Sequence, residues 1–196
     1  MLTPEKPSLA APRRRQALAA AGAALAGWPT SHLLAQSSEP WPEVSGALAQ
    51  ARLAGQTRLR VWGFEVYDAQ LWVGAGFRAS QFTQHPLALS LIYLRALKGT
   101  AIADRSLKEM RGLQAITEGQ ADQWLSAMRQ TFPDVQATDR LTGLHQPGVG
   151  ARFWLNGQAR GNIGDADFSA LFFGIWLHEA SSEPGLRREL LAGATP

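Results

Sequence analysis

Leu87 to Leu97 (LALSLIYLRAL) is apolar on both faces that a β-strand presents: Leu87, Leu89, Leu91 and Tyr93 alternate with Ala88, Ile92, Leu94 and Ala96. A strand of this kind cannot have one face in water; it belongs near the centre of a sheet, with cover on both sides. Arg95 falls on the face of Leu91 and Tyr93, so its charged head must be paired, sit at the strand end, or turn into a cavity.

The flanking segments supply the rest of the sheet and its cover. Leu59 to Val73 (LRVWGFEVYDAQLWV) is rich in β-branched and aromatic residues, and Gly63 inside it predicts a bulge or a tight hairpin. Tyr67, Ala69, Leu71 and Val73 share one face of that segment. Two helices follow: one over Ala101 to Leu113 with Ala103, Leu107 and Met110 on a stripe, and one opened by the capping box Thr117 to Gln120. The second carries Ala121, Trp124, Leu125 and Met128 on one face and ends at Phe132-Pro133-Asp134. Short strands are predicted at Asp139 to His145, Ala151 to Leu155 and Gln158 to Ile163, with Asn156-Gly157 as a hairpin turn. Asp165 and Asp167 have helix-start chemistry before the stripe Phe168, Leu171, Phe172 and Ile175, and a last helix begins near Pro184. Hairpin-spaced strands with helices between and after them imply an α+β fold with a large antiparallel sheet.

The first 35 residues differ in kind from the rest. Arg13, Arg14 and Arg15 precede Ala17 to Gly27 (ALAAAGAALAG), an uncharged run of eleven residues. A membrane-spanning helix needs roughly 20 apolar residues, so no stable span is expected here. The pattern fits a signal peptide over 1–35, with cleavage after Ala35, export and a periplasmic location. Arg14-Arg15 followed by Ala17-Leu18 resembles the twin-arginine export motif, without its usual serine or threonine before the pair or its phenylalanine after. Residues 36–45 read as an irregular lead-in, because Pro40 and Pro42 disfavour both helix and central strand, and the domain proper is expected at 46–193. The net charge of +3 belongs to the leader: from Gln36 onward fifteen basic residues balance fifteen acidic ones. That balance argues against a nucleic-acid partner, which needs concentrated Lys and Arg.

The chain has no cysteine, which excludes disulfides, thiolate metal sites and a cysteine nucleophile. No phosphate-cradling, zinc-protease or serine-hydrolase motif is present, and no cofactor or metal site is expected. His85, His145 and His178 lack partners at ligand spacing and read as surface or turn residues. Asp104 and Lys108 read as an exposed i,i+4 ion pair. What remains is a set of arginines and tyrosines in strand patterns: Arg58, Arg60, Tyr67, Tyr93 and Arg95. The arginines either pair with Glu65 and Asp68, or one or two of them line a pocket with Tyr67 and Tyr93 and hold an anionic or carbonyl oxygen.

The series Gly55-Gln56-Thr57-Arg58, Val66-Tyr67-Asp68-Ala69, Tyr93-Leu94-Arg95 with Lys98-Gly99, Phe132-Pro133-Asp134, Asp139 to Gly143 and Phe172 to Leu177 resembles the bacterial chalcone isomerase-like family over about residues 46–193. The resemblance implies an open-faced β-sandwich, a large antiparallel sheet with a layer of helices. It also implies either an isomerase that closes a flavanone ring or a binder of fatty acids with an arginine and a tyrosine on the carboxylate. The family arginine falls on or near Arg58, with Arg60 as the rival. The isomerase's threonine, tyrosine and asparagine fall on Trp62, Ile102 and Glu109. With only the arginine kept, the resemblance implies a non-catalytic binder of a small amphiphilic acid, with Arg58, Tyr67, Tyr93 and Arg95 as ligand-binding residues. The alternatives are an envelope interaction module with a protein partner, and an isomerase or lyase of a phenolic enone.

Overall fold

The computed structural model describes residues 39–195. Six antiparallel strands form one sheet in simple sequence order: β1 Arg52–Val61, β2 Phe64–Val73, β3 Leu87–Tyr93, β4 Arg140–Gln146, β5 Gly150–Leu155 and β6 Gln158–Ile163. The fold is α+β, as expected. Helices α2 (Gly99–Leu113) and α3 (Glu118–Thr131) connect β3 to β4, and α4 (Ala166–Leu177) and α5 (Pro184–Leu190) follow β6. The doubly apolar segment is β3, the partner of both β2 and β4.

Its two faces meet different layers. Leu87, Leu89, Leu91 and Tyr93 join Ala69, Leu71 and Val73 of β2 in the main core, which α2 to α5 close with Met110, Trp124, Phe172, Phe173 and Leu186. On the opposite face Ala88 joins Trp72, Leu144 and Trp154, covered by Val44 and Leu48. This second cover corrects the expected irregular lead-in. Pro42 occupies the first turn of a short helix, α1 (Pro42–Ser45), a place where its missing N–H costs nothing. The segment is pinned by Arg140, whose guanidinium lies 3.8 Å over the Trp41 ring and pairs with the buried Glu43 at 3.0 Å. Thr142 donates to the same carboxylate at 2.9 Å. Removing either charge alone would strand the other in a dry site, a loss of about 3–5 kcal/mol.

Helix positions follow local chemistry. Thr117 and Gln120 form the reciprocal capping box, and Asp165 caps α4 through the Phe168 N–H while accepting from the Trp124 indole at 2.8 Å. One carboxylate thus starts α4 and ties it to α3. Helix α5 lies directly on β1: a side chain at Gly55 would run into the Glu189 and Leu190 carbonyls at 2.2 and 2.4 Å. Two expectations fail. Asp104 pairs with Arg129 of α3 at 2.7 Å instead of with Lys108, because the facing helix offers a cation within reach. His145 is buried at 1 % exposure, since its alternate position on β4 points it under α4. Its Nε2 faces the Thr83 carbonyl at 3.1 Å, which can only accept, so that nitrogen carries the proton. Nδ1 lies 2.6 Å from the Ser169 hydroxyl, and burial holds the ring below its ordinary pKa.

Candidate functional site

Between the sheet and the helices lies a cavity of about 230 Å³. Leu59 and Val61 of β1, Val66 and Tyr67 of β2 and Tyr93 of β3 form one wall. Opposite them stand Ile102, Arg105, Ser106 and Glu109 of α2 and Phe172, Ile175 and Trp176 of α4; Ser182, Glu183 and Leu186 close the end at α5. Most of this lining is aliphatic or aromatic, the composition of a site that takes an apolar body and orients it with a few polar groups. A second hollow of about 330 Å³, between Phe82 and α4, is larger but bordered by Thr83, Gln114, Gln120, Asp167 and His178.

The polar groups fall into two sets. At depth are two phenols in edge-to-face contact, Tyr67 and Tyr93, ring centroids 6.0 Å apart. The Tyr67 oxygen accepts from the Trp176 indole at 2.9 Å, which leaves its own proton to donate, and the Tyr93 hydroxyl has no hydrogen-bond partner among the described residues. Burial pushes both phenols far above the ordinary tyrosine range, so both are neutral donors at any physiological pH. Nearer solvent, Arg105 pairs with Glu109 at 2.5 Å, one helical turn away, and Ser182 donates to the other Glu109 oxygen at 2.7 Å. Arg105 remains 60 % exposed while Glu109 is 16 % exposed, so the carboxylate is the more enclosed of the two.

Of the residues expected from the sequence, the structure brings Tyr67 and Tyr93 together on this cavity and leaves both arginines outside it. Arg58 stands opposite Asp68 in the β1–β2 register and grips it with two nitrogens at 2.6 and 2.8 Å, while a third reaches Glu65 at 2.9 Å. Arg60 shares Glu65, and the two guanidiniums hold that carboxyl below its usual range, Arg58 foremost. Arg95 follows the end of β3 and lies exposed with its guanidinium 5.5 Å over the Phe64 ring. Arg95 thus takes the strand-end outcome among those the sequence allowed it, with its head at the surface and not in the cavity. Trp62 lies at the hairpin tip, whereas Ile102 and Glu109 do line the cavity. The cavity cation that sequence reasoning missed is Arg105. Its signal was the α2 spacing: Ile102, Arg105, Ser106 and Glu109 share the helix face beside the core stripe.

Among the described residues no group of three or more His, Cys, Asp or Glu side chains could hold a metal ion, and no helix is long and apolar enough to cross a membrane. The leader expected at 1–35 lies outside the described residues.

Comparisons with known proteins bear on the fold and the family. An uncharacterized protein of Haemophilus influenzae is 34% identical over 131 residues, which cover 66% of this chain and 63% of that relative. The matched part is thus somewhat under two thirds of the relative's length. The crystal structure of an Arabidopsis thaliana fatty-acid binding protein superposes with a TM-score of 0.57 at 13% identity, over 73% of this chain and 87% of that one. At that identity the likeness is one of fold. Residues 50–192, which span all six strands and the four helices around the cavity, match the chalcone isomerase-like family. The chain therefore belongs to the chalcone isomerase-like family.

Proposed function

We propose that this protein is an exported, non-catalytic binder of a small amphiphile. Its apolar body would lie among Leu59, Val61, Val66, Phe172, Ile175 and Leu186, and an oxygen at its polar end would accept from the Tyr67 and Tyr93 phenols. The observation that carries the reading is a largely apolar cavity whose inner polar groups are two neutral donors, one of them unpartnered among the described residues. Two donors converging on one oxygen fix orientation without requiring a charge. The fold likeness to a fatty-acid binding protein adds support. An amphiphilic acid, the ligand expected from the sequence, would put its carboxylate either on the phenols or at Arg105, where Glu109 and Glu183 oppose it. The arginine pair at the head of the chain supports export.

The test is calorimetric titration with a ten-carbon alcohol, carboxylate and amine, alongside native mass spectrometry for a co-purifying lipid. Binding of the alcohol at least as tight as that of the acid is expected. Ile102→Trp, which fills the cavity from α2, should abolish uptake of all three while the protein still melts cooperatively. Saturable turnover of a chalcone-type enone that disappears in the filled variant would replace this reading with an isomerase.

A further inference from the structure

The β1–β2 hairpin turns through Trp62 and Gly63, both in the left-handed region at φ 49° and 82°, with Val61 paired to Phe64. This is the two-residue turn that favours Asn-Gly, and a tryptophan at its first position is held in a conformation that non-glycine residues avoid. Among the described residues no packing offsets that strain: Trp62 is 95 % exposed, and Phe64 beside it is 64 % exposed. Arg95 lies over the Phe64 ring, and Arg58 and Arg60 stand behind the tip against Glu65 and Asp68, an excess of one cation.

We infer that this tip is a membrane-docking element, which seats Trp62 and Phe64 in the interfacial layer of an anionic bilayer. The indole is amphipathic and settles where its ring meets acyl chain while its N–H stays at headgroup level. Arg95 can cover Phe64 with its stem and present its head to a lipid phosphate. Two side chains offer far less than the roughly 800 Å² per partner that a stable protein pair buries. A bilayer sets no such minimum, since apolar insertion and charge attraction add residue by residue. Val61, one residue before the tip, belongs to the cavity wall, so docking there would set the cavity beside the lipid surface. The inference stands on the hairpin alone and does not depend on what the cavity holds.

The chain contains no cysteine, so single cysteines can be placed by Phe64→Cys and, at the β4–β5 turn, by Val149→Cys, which is similarly exposed at 61 %. Each full-length variant is labelled with a polarity-sensitive dye and mixed with vesicles of phosphatidylcholine and phosphatidylglycerol. The dye at 64 should shift to the blue and be quenched by acyl-chain spin labels, while the dye at 149 stays unchanged. Because the apolar run at 17–27 could itself bind lipid, the difference between the two positions is the decisive readout. Trp62→Asn, a residue suited to the turn, should keep the melt cooperative with its midpoint at or above that of the wild type and weaken the insertion seen at 64 about tenfold. The inference is overturned if the dye at 64 stays in water, if both dyes respond alike, or if Trp62→Asn changes nothing. A concentration-dependent dimer lost in Trp62→Asn would also overturn it, by assigning the tip to self-association.

Discussion

Two hairpins of this molecule share one turn geometry and use it in opposite ways. At β5–β6, Asn156 and Gly157 turn at φ 51° and 81°; at β1–β2, Trp62 and Gly63 turn at 49° and 82°. Asn156 accepts from the Arg140 N–H and donates to Asp139, each at 2.8 Å, so the turn is tied to the start of β4. Trp62 touches water. Equal backbones with unequal residues separate what folding requires from what it tolerates: the first turn holds the sheet together, and the second carries a side chain the fold does not need.

The comparison can be broken most severely at the tied turn. Asn156→Ala removes both side-chain hydrogen bonds and the residue's ease in the left-handed region, and should lower unfolding free energy by about 2–3 kcal/mol in urea titrations. It should also release Asp139, whose carboxyl the Asn156 amide and then the Gln136 N–H hold below the usual range. Next comes acidification. His145 on β4 has a folded pKa below its ordinary 6.5 because burial disfavours the imidazolium. The unfolded chain then binds more protons, so this contribution is complete above about 6.5 and shrinks as pH falls below it. Urea midpoints between pH 7.5 and 5 should fall in the wild type and flatten in His145→Gln. Trp62→Asn works in the other direction: relief of the strained turn should raise stability by about 1 kcal/mol. A loss of stability instead would mean that the tip is packed in solution. Smallest of all, Val149→Ser at the exposed β4–β5 turn should stay within about 0.5 kcal/mol of the wild type by thermal melt.

Much of the architecture was legible because it rests on periodicity and turn chemistry. The doubly apolar strand, the Thr117 capping box, the Asp165 cap and the Asn156-Gly157 turn are local signals, and each decided its element. The short helix at Pro42 was hidden because a proline reads as a breaker until its place in the first turn is known. His145 was misread because one apolar-side position among alternating neighbours looks the same whether a helix covers it or not. The site was half legible. Tyr67 and Tyr93 followed from strand faces, but the sequence left Arg58 between pairing with Glu65 and Asp68 and lining a pocket, and its direct cross-strand partner, Asp68, decides for the first. Arg105 escaped notice because ion pairing on α2 was assigned one residue too early, to Asp104 and Lys108. Pairing across two packed helices depends on their docking angle, which no single helix pattern contains.

The sheet has one further consequence, for the order of assembly. Every strand pairs with its neighbour in sequence across a turn of two or three residues or, between β2 and β3, the segment 74–86, except β3 with β4, between which residues 94–139 and two helices intervene. Each three-stranded half can zip from its own turns, whereas the β3–β4 seam, with its buried Ser90–Thr142 hydroxyl pair, must wait for a long loop to close. Folding speed should therefore be set at that seam, and substitutions there would slow folding where those at the outer hairpins would mainly hasten unfolding. A nick in the α2–α3 connection would leave two fragments with complementary edges, each fragment's open edge being the other's missing strand.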